Sequence, residues 1–382
     1  MSDKKLHIGV IFGGRSGEHE ISLMSARSVL STLNQDRYQV TQIGITHDGV
    51  WLVGENVLVS MSEDRISDLN PATTLPDPTR SGLYVLKNNQ QGELLQLLTE
   101  LDVVFPVLHG TFGEDGTLQG LLELADLAYV GAGVLGSSLG MDKAVFKDVM
   151  RANAIPVLES IVILRSNIER DLERVLQEIE AKLSFPIFIK PANMGSSVGV
   201  TRCTSRSDLV EGLLEAARFD RRVLVERGVD AREIEVSVLG NDEPIASIPG
   251  EIIPSREFYS YEAKYIDDLS ELIIPAPLSN ELSDEIRHLA VRAYRATDCA
   301  GMARVDFLLE KATQNETHPP KLYLNELNTV PGFTKISMYP KLWNASGISF
   351  PELVDRLIEL ALERKTERDR TEHRYFVRES SK

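Results

Sequence analysis

The sequence predicts a protein of mixed α/β and α+β class, with a parallel α/β sheet first and α+β segments after it. Three observations carry this reading. An apolar strand, a glycine turn, a helix and a second strand follow one another over residues 6–45, the way a parallel α/β sheet begins. After Gly131 the pattern changes to short strands separated by helical segments. Near the C-terminal end, Ala303–Phe307 and Leu324–Asn328 read as apolar strands interrupted by polar residues. With 382 residues the chain exceeds one small core, and roughly two or three domains are expected.

The elements follow in order. Leu6–Phe12 is an apolar run closed by Gly13-Gly14, Glu20–Leu33 has helical apolar spacing, and Tyr38–Ile45 is a second strand. Residues 60–91 are turn-rich and weakly patterned and are expected to be a surface excursion. Asp102–Leu108 is a strand ending in His109-Gly110, and Thr117–Ala125 a helix. Lys143–Asn153, Ile168–Lys182 and Ser207–Phe219 read as helices, and Ile187–Lys190, Val198–Cys203 and Val223–Glu226 as strands. Glu233–Leu239 and Pro244–Ile253 suit an antiparallel pair, followed by a polar, aromatic loop at Pro254–Asp268 and a helix at Glu281–Thr297. Phe350–Arg364 is a closing amphipathic helix, and Thr366–Lys382 lacks apolar periodicity and is expected to be disordered. The expected division is 1–131, 132–226 and 227–365, with 366–382 as a tail.

Composition excludes some function classes. Hydrophobic content of 42% with 26% charged residues is ordinary for a soluble enzyme, and a formal charge of −16 argues against a nucleic-acid partner. No apolar run approaches the roughly 20 residues that span a bilayer, so no membrane partner is expected. The N-terminus runs into a strand without a signal-peptide core, which predicts a cytoplasmic protein. Cys203 and Cys299 suit two reduced thiols better than a disulfide framework or a zinc site.

Six constellations carry chemistry. Alternation on a strand puts Arg304 and Asp306 on one face, and Glu326 and Asn328 on one face of the next strand. If the strands pair, three oxygen donors and a guanidinium converge, a set suited to Mg²⁺; a buried salt bridge is the alternative. Lys190 through Val200 puts a lysine at a strand end before a small-residue turn whose N–H groups, with Ser196 and Ser197, suit phosphate; a plain hairpin is the alternative. Glu226 and Glu233 could accept from a nucleotide's ribose or adenine, or be solvated carboxylates. Gly13 through Glu20 lies at a strand-to-helix junction where ligands bind, and Glu18 or Glu20 there would attract an ammonium; helix capping is the alternative. His109 sits in a similar junction, with ligand and structural roles both open, and the loop Phe258–Tyr265 is rich in tyrosine and suits a lid or a packed surface.

In this order, these motifs resemble the D-alanine–D-alanine ligases of bacterial cell-wall synthesis, members of the ATP-grasp superfamily. The resemblance spans about His7 to Arg364 and is carried by Gly13-Gly14-x-Ser16-x-Glu18-x-Glu20-x-Ser22, His109 through Gly120, Met141-Asp142-Lys143, Lys190 through Gly199, Glu262-Ala263-Lys264-Tyr265 and Asn325-Glu326-x-Asn328-Thr329-x-Pro331-Gly332. It implies an ATP-grasp fold, with an N-terminal parallel α/β domain and ATP sandwiched between two further domains. It also implies roles. Lys143, Lys190 and Lys264 would contact ATP phosphates under a loop bearing Ser196 and Ser197, Glu226 would meet adenine and Glu233 ribose. Asp306, Glu326 and Asn328 would hold two Mg²⁺ ions, or Mn²⁺. Glu18 would take the first D-alanine's ammonium and Ser337 the second's carboxylate, with His109, Tyr265 and Met338 also at the substrates.

The implied reaction begins with attack of a D-alanine carboxylate on the γ-phosphate of ATP, giving an acyl phosphate. A second D-alanine's amine then attacks the acyl carbon, with Arg304 and the Gly332 N–H at the oxyanion, and Ser196 and Tyr265 in a lid that excludes water. In the depsipeptide-forming branch of the family the loop tyrosine is replaced, so retention of Tyr265 after Lys264 favours the dipeptide over a D-lactate product, with a D-alanine–D-lactate or D-alanine–D-serine ligase as the alternative. Other carboxylate–amine ligases and an ATP-sensing module remain as competing readings, and a homodimer is what the resemblance suggests. Gly228, Val229 and the insert Ala312–Lys321 depart from the family pattern.

Overall fold

The computed structural model describes residues 5–90, 92–253, 271–311 and 321–372. The described strands form three sheets. The first contains β1 (Leu6–Gly13), β2 (Tyr38–Ile45), β3 (Trp51–Val53), β4 (Asn70–Thr74), β5 (Leu83–Asn89), β6 (Gly92–Thr99), β7 (Val103–Pro106) and β8 (Ala128–Tyr129). Their order is β6-β5-β4-β3-β2-β1-β7-β8. The centre is parallel: β1 pairs in parallel with β2 and β7, and β7 with β8. All but the first residue of β1 is buried, as a strand covered on both faces requires. Helices α1 (His19–Leu30), α2 (Val57–Ser62) and α3 (Thr117–Leu124) belong to this region.

The surface excursion expected at 60–91 is not irregular. It carries the end of α2 and strands β4 and β5, which with β6 extend the sheet antiparallel. Only Leu83 and Val85 of β5 are buried, and every residue of β6 from Gly92 to Leu98 is exposed. Such strands write no apolar alternation into the sequence.

The second sheet follows α4 (Val134–Met141) and α5 (Lys143–Ala152). It comprises β9 (Ser160–Leu164), β10 (Ile187–Pro191), β11 (Thr201–Cys203) and β12 (Arg222–Arg227), in the order β11-β10-β12-β9 and antiparallel throughout. Helices α6 (Arg165–Arg170), α7 (Leu172–Lys182) and α8 (Arg206–Phe219) accompany it. The single helix expected over Ile168–Lys182 is broken at Asp171, whose carboxylate caps α7 by accepting from the Arg174 N–H. The strand expected from Val198 begins at Thr201, because Ser196, Ser197 and Gly199 have φ of 50°, 58° and 68° and turn the chain.

The third sheet holds β13 (Ala231–Gly240), β14 (Ile245–Ala246), β15 (Gly250–Ile253), β16 (Glu271–Ile273), β17 (Gly301–Glu310) and β18 (Leu322–Asn328). Its order is β16-β15-β13-β17-β18, with β14 on β13, again antiparallel. Helix α9 (Asn280–Ala296) packs on it, and α10 (Met338–Ala345) and α11 (Phe350–Arg368) end the described chain. Helix α11 runs past Arg364 and takes the first residues of the expected tail, with Arg368 paired to Glu123. Residues 373–382 lie outside the described residues.

Helix α11 folds back onto the first sheet. Leu353, Val354, Leu357 and Ile358 share a buried cluster with Ile8, Val10, Phe12 and Phe105. Tyr38 Oη donates to Asp355 at 2.8 Å, and Arg364 lies over the Tyr129 ring. Each of these large apolar side chains contributes about 1.5–3 kcal/mol on burial. The first and third sheets are thereby joined, with the loop from Thr329 to Ser337 between them.

Candidate active site

A cleft of about 1300 Å³ opens among the three sheets and is lined by residues of all of them. Its floor is the face of β17 and β18. Arg304 lies opposite Asn328, and Asp306 opposite Glu326. Simple alternation would have put Glu326 on the same side as Leu322 and Leu324, which are buried in the core behind. A register shift at Asn325 prevents this: Leu324 pairs with Phe307 while Glu326 pairs with Asp306. The bulge turns Glu326 and Asn328 to the cleft and returns Leu327 to the core.

Asp306 also lies opposite Glu235 of β13. Glu235, Asp306 and Glu326 therefore form a row of three carboxylates across adjacent strands, an arrangement that repels itself unless cations intervene. Arg304 is one such cation. Its Nε and Nη2 donate to Asp306 at 2.8 and 2.7 Å, and Nε lies 3.0 Å from Glu235. Burial opposes its charge, but Asp306 and Glu235 hold the guanidinium well above its ordinary value. Asn328 Nδ2 donates to Asp306 at 2.9 Å. The salt bridge anticipated as an alternative is thus present, with Asp306 Oδ2 accepting from both Arg304 and Asn328, yet Oδ1 accepts from Arg304 alone and keeps a lone pair. A row of oxygens with excess negative charge fits Mg²⁺ or Mn²⁺.

The facing wall is cationic. Asp142 caps α5 and so places Lys143 at its start; Lys143 Nζ donates to the Met194 carbonyl at 2.8 Å and lies 3.8 Å from Glu326. Lys190 donates to Glu226 at 2.7 Å, while the other Glu226 oxygen pairs with Lys147 of α5. Burial alone would raise the Glu226 carboxyl, but the two ammonium groups overcome it and hold it at about 2. Burial pushes Lys147 below its ordinary value, whereas at Lys190 Glu226 more than offsets burial and raises it. Glu233, Ser196 and Ser197 line the same cleft. Ser196 Oγ is buried and has no hydrogen-bond partner among the described residues. The turn reaches the first sheet, since a Cβ on Gly195 would lie 3.1 Å from Glu18 Oε2.

The far end is closed by loops of the first and third sheets. Glu18, 7% exposed, precedes α1; Ser16 Oγ accepts its N–H and donates to the His109 carbonyl. His109 Nδ1 donates to the Val330 carbonyl at 2.8 Å, and Nε2 lies 3.0 Å from Ser25 Oγ. Burial keeps this imidazole below its usual range and so neutral. It lines the cleft but its ring nitrogens tie two loops together. Gly332, Ser337 and Met338 line this end. Ser337 Oγ is 2.7 Å from Thr334 Oγ1, and a Cβ on Gly332 would lie 3.1 Å from it. Gly228 is required where it stands: its N–H bonds the Pro186 carbonyl, which a Cβ would approach to 2.7 Å. Lys264, Tyr265 and the insert 312–320 lie outside the described residues.

Sequence reasoning missed Glu114, Lys147 and Glu235. Glu114 accepts from the Gly110 N–H at 2.8 Å and the Val330 N–H at 3.2 Å. Burial first, and neighbouring Glu18 second, push its carboxyl up to about 8. The folded protein therefore holds a proton on Glu114 that the unfolded chain gives up near 4.5. Its contribution to stability is full below about 4.5, declines as pH rises, and is gone above about 8. In Glu114→Gln, the denaturant midpoint is expected to fall less between pH 5 and 8 than in the native protein; equal slopes would contradict the assignment.

The family model described as D-ala D-ala ligase N-terminus matches residues 7–132, and that described as D-ala D-ala ligase C-terminus matches residues 149–359. The D-alanine–D-alanine ligase of Natranaerobius thermophilus is 48% identical over 369 residues, covering 96% of this chain and 98% of that protein. The corresponding ligase of Thermoanaerobacter pseudethanolicus is 49% identical over 373 residues, covering 96% and 99%. Among solved structures, the D-alanine–D-alanine ligase from Coxiella burnetii superposes with a TM-score of 0.78 at 38% identity, covering 96% of each chain. The VanG D-Ala:D-Ser ligase from Enterococcus faecalis superposes with a TM-score of 0.81 at 34% identity, covering 94% of this chain and all of that one.

Proposed function

We infer the reaction and its residues from one premise: the chain belongs to the D-alanine–D-alanine ligase family. It has the ATP-grasp fold and is an ATP-dependent ligase that joins two D-alanines into D-alanyl-D-alanine for peptidoglycan precursors. D-alanine and ATP are its substrates, and the family uses a divalent metal. The observation that carries the site is the face of β17 and β18, where Arg304, Asp306, Glu326 and Asn328 meet a cleft also lined by Lys143 and Lys190.

Asp306, Glu326 and Asn328 are the proposed ligands of two Mg²⁺ ions, replaceable by Mn²⁺. When bound, these ions offset the phosphate charge that would otherwise repel a carboxylate. Lys143, Lys190 and Lys264 hold the phosphates under the turn of Ser196 and Ser197. Glu233 takes the ribose. Glu226 serves adenine and also pins Lys190 through its second oxygen. Glu18 orients the first D-alanine by its ammonium, and a carboxylate oxygen of that D-alanine attacks the γ-phosphorus as ADP leaves. Ser337, with Met338 beside it, holds the second D-alanine's carboxylate so that its amine faces the acyl carbon. Arg304 and the Gly332 N–H receive the oxyanion, phosphate leaves with the former carboxylate oxygen, and the amine loses a proton. His109, neutral and bonded to Ser25 and Val330, keeps the loops around Glu18 and Gly332 in place. Tyr265 and Ser196 exclude water from the acyl phosphate.

The proposed division at 131/132 follows the end of β8 at Tyr129, while that at 226/227 falls one residue inside β12, which ends at Arg227 before β13 begins at Ala231. The supply of ATP places the enzyme in the cytoplasm. Among the described residues no helix is long and apolar enough to cross a membrane. A homodimer without nucleic acid is the proposed assembly. Release of phosphate from ATP is expected to depend strictly on D-alanine and to yield the dipeptide. D-serine or D-lactate at neutral pH should be poor second substrates. Incorporation of either as readily as D-alanine would reassign the second site, and turnover with L-amino acids alone would reject the reading.

A further inference from the structure

The first turn of α1 and the turn between β2 and β3 bring two imidazoles and a carboxylate together outside the catalytic cleft. His19, Glu20 and His47 each offer one ligand atom, and these atoms lie within 4.8 Å of one another. The two rings stack with centroids 3.8 Å apart and planes at 24°, and His47 Nε2 is 3.8 Å from Glu20 Oε1. His19 is only 5% exposed and packs over Gly13, where a Cβ would approach its Cε1 to 3.1 Å. Its Nδ1 lies 2.8 Å from the Gly14 carbonyl. A carbonyl can only accept, so the proton sits on Nδ1 and the neutral ring has its lone pair on Nε2. Among the described residues that nitrogen has no hydrogen-bond partner. An Nδ1–H held by a backbone carbonyl, with Nε2 free to ligate, is how proteins orient metal-bound histidines.

We propose that His19, Glu20 and His47 form a site for one divalent transition-metal ion of the zinc type, with water completing its coordination. Two imidazoles select such an ion over Mg²⁺, which keeps to oxygen. Metal–ligand bonds of about 2.0–2.2 Å need the three atoms somewhat closer than they stand. The side chains of His47 and Glu20 are 66% and 72% exposed and are free to close that gap by rotation, while His19 stays fixed. The amino end of α1 disfavours a cation, and the Glu20 carboxylate in the same turn offsets it. Occupation clamps the turn after β2 to the start of α1, next to Glu18. The site stands independently of the ligase reading.

Cobalt is the probe, because its visible d–d bands report nitrogen ligation directly. The full chain in saturating Mg²⁺ is expected to bind one equivalent of Co²⁺ with such bands, which Zn²⁺ displaces. His47→Ala should weaken this binding at least about 10-fold, Glu20→Gln should weaken it too, and Asp306→Asn should leave it intact. Circular dichroism checks that each variant folds. Absence of the bands, their persistence in both His47→Ala and Glu20→Gln, or their loss only in Asp306→Asn would overturn the proposal.

Discussion

Replacing Arg304 with alanine is expected to lower turnover by at least about 10²–10³-fold, the usual consequence of losing a donor that meets a developing oxyanion. The structure makes the effect specific to a planar fork. Arg304 reaches both Asp306 oxygens at 2.8 and 2.7 Å while its Nε stays 3.0 Å from Glu235. Lysine offers a point charge and cannot span both partners, so Arg304→Lys should recover little activity. Removing the guanidinium also leaves Glu235, Asp306 and Glu326 abreast with one cation fewer. Arg304→Ala should therefore also lose stability in the absence of Mg²⁺, read as a lower denaturant midpoint than that of the native protein. Near-normal turnover in Arg304→Ala would remove this residue from the chemistry.

The largest effect on stability is expected from Lys147→Met. Glu226 is 1% exposed and holds two ammonium groups, Lys147 from α5 and Lys190 from its own sheet. Breaking a buried ion group by removing one partner typically costs about 3–5 kcal/mol, because the remaining charges lose compensation. Lys190 then loses its fixed position, so the KM for ATP should rise as stability falls, while the second-substrate KM changes little. A Lys147→Met protein as stable as the native one would show that the triad is neutral. The acid limb follows with its sign. The Glu226 carboxyl sits at about 2 in the folded protein against an ordinary 4.5, so its stabilisation is complete above about 4.5 and is lost as pH falls toward 2. Glu226→Gln should abolish that part of the acid transition.

The fold was legible where burial writes a period into the chain. Strands β1 and β2 and helix α5 announced themselves, because β1 is buried almost throughout, β2 is buried at both its ends and α5 buries one stripe. Strands β4 to β6 did not, being partly or almost wholly exposed extensions of the sheet. The polar positions of β17 and β18 were visible as interruptions of apolar strands. The bulge at Asn325 was not, although Leu322, Leu324 and Glu326 share one parity, so a regular strand would have buried the Glu326 carboxylate with the two leucines. Reading that conflict as a bulge was the available signal. Glu114 and Lys147 were illegible for another reason: their burial comes from contacts distant in sequence, Val330 for Glu114 and Glu226 for Lys147. A lysine on an amphipathic helix carries no mark of the carboxylate that awaits it.

The account depends on the cleft activating a carboxylate by phosphoryl transfer, and the fate of one oxygen tests that most directly. D-alanine labelled with ¹⁸O in its carboxylate should be converted with ATP, and the released phosphate analysed by mass. Transfer of one labelled oxygen from carboxylate to phosphate per dipeptide formed is the predicted result. Unlabelled phosphate alongside normal dipeptide yield would contradict it, because the carboxylate would then never have been joined to phosphorus.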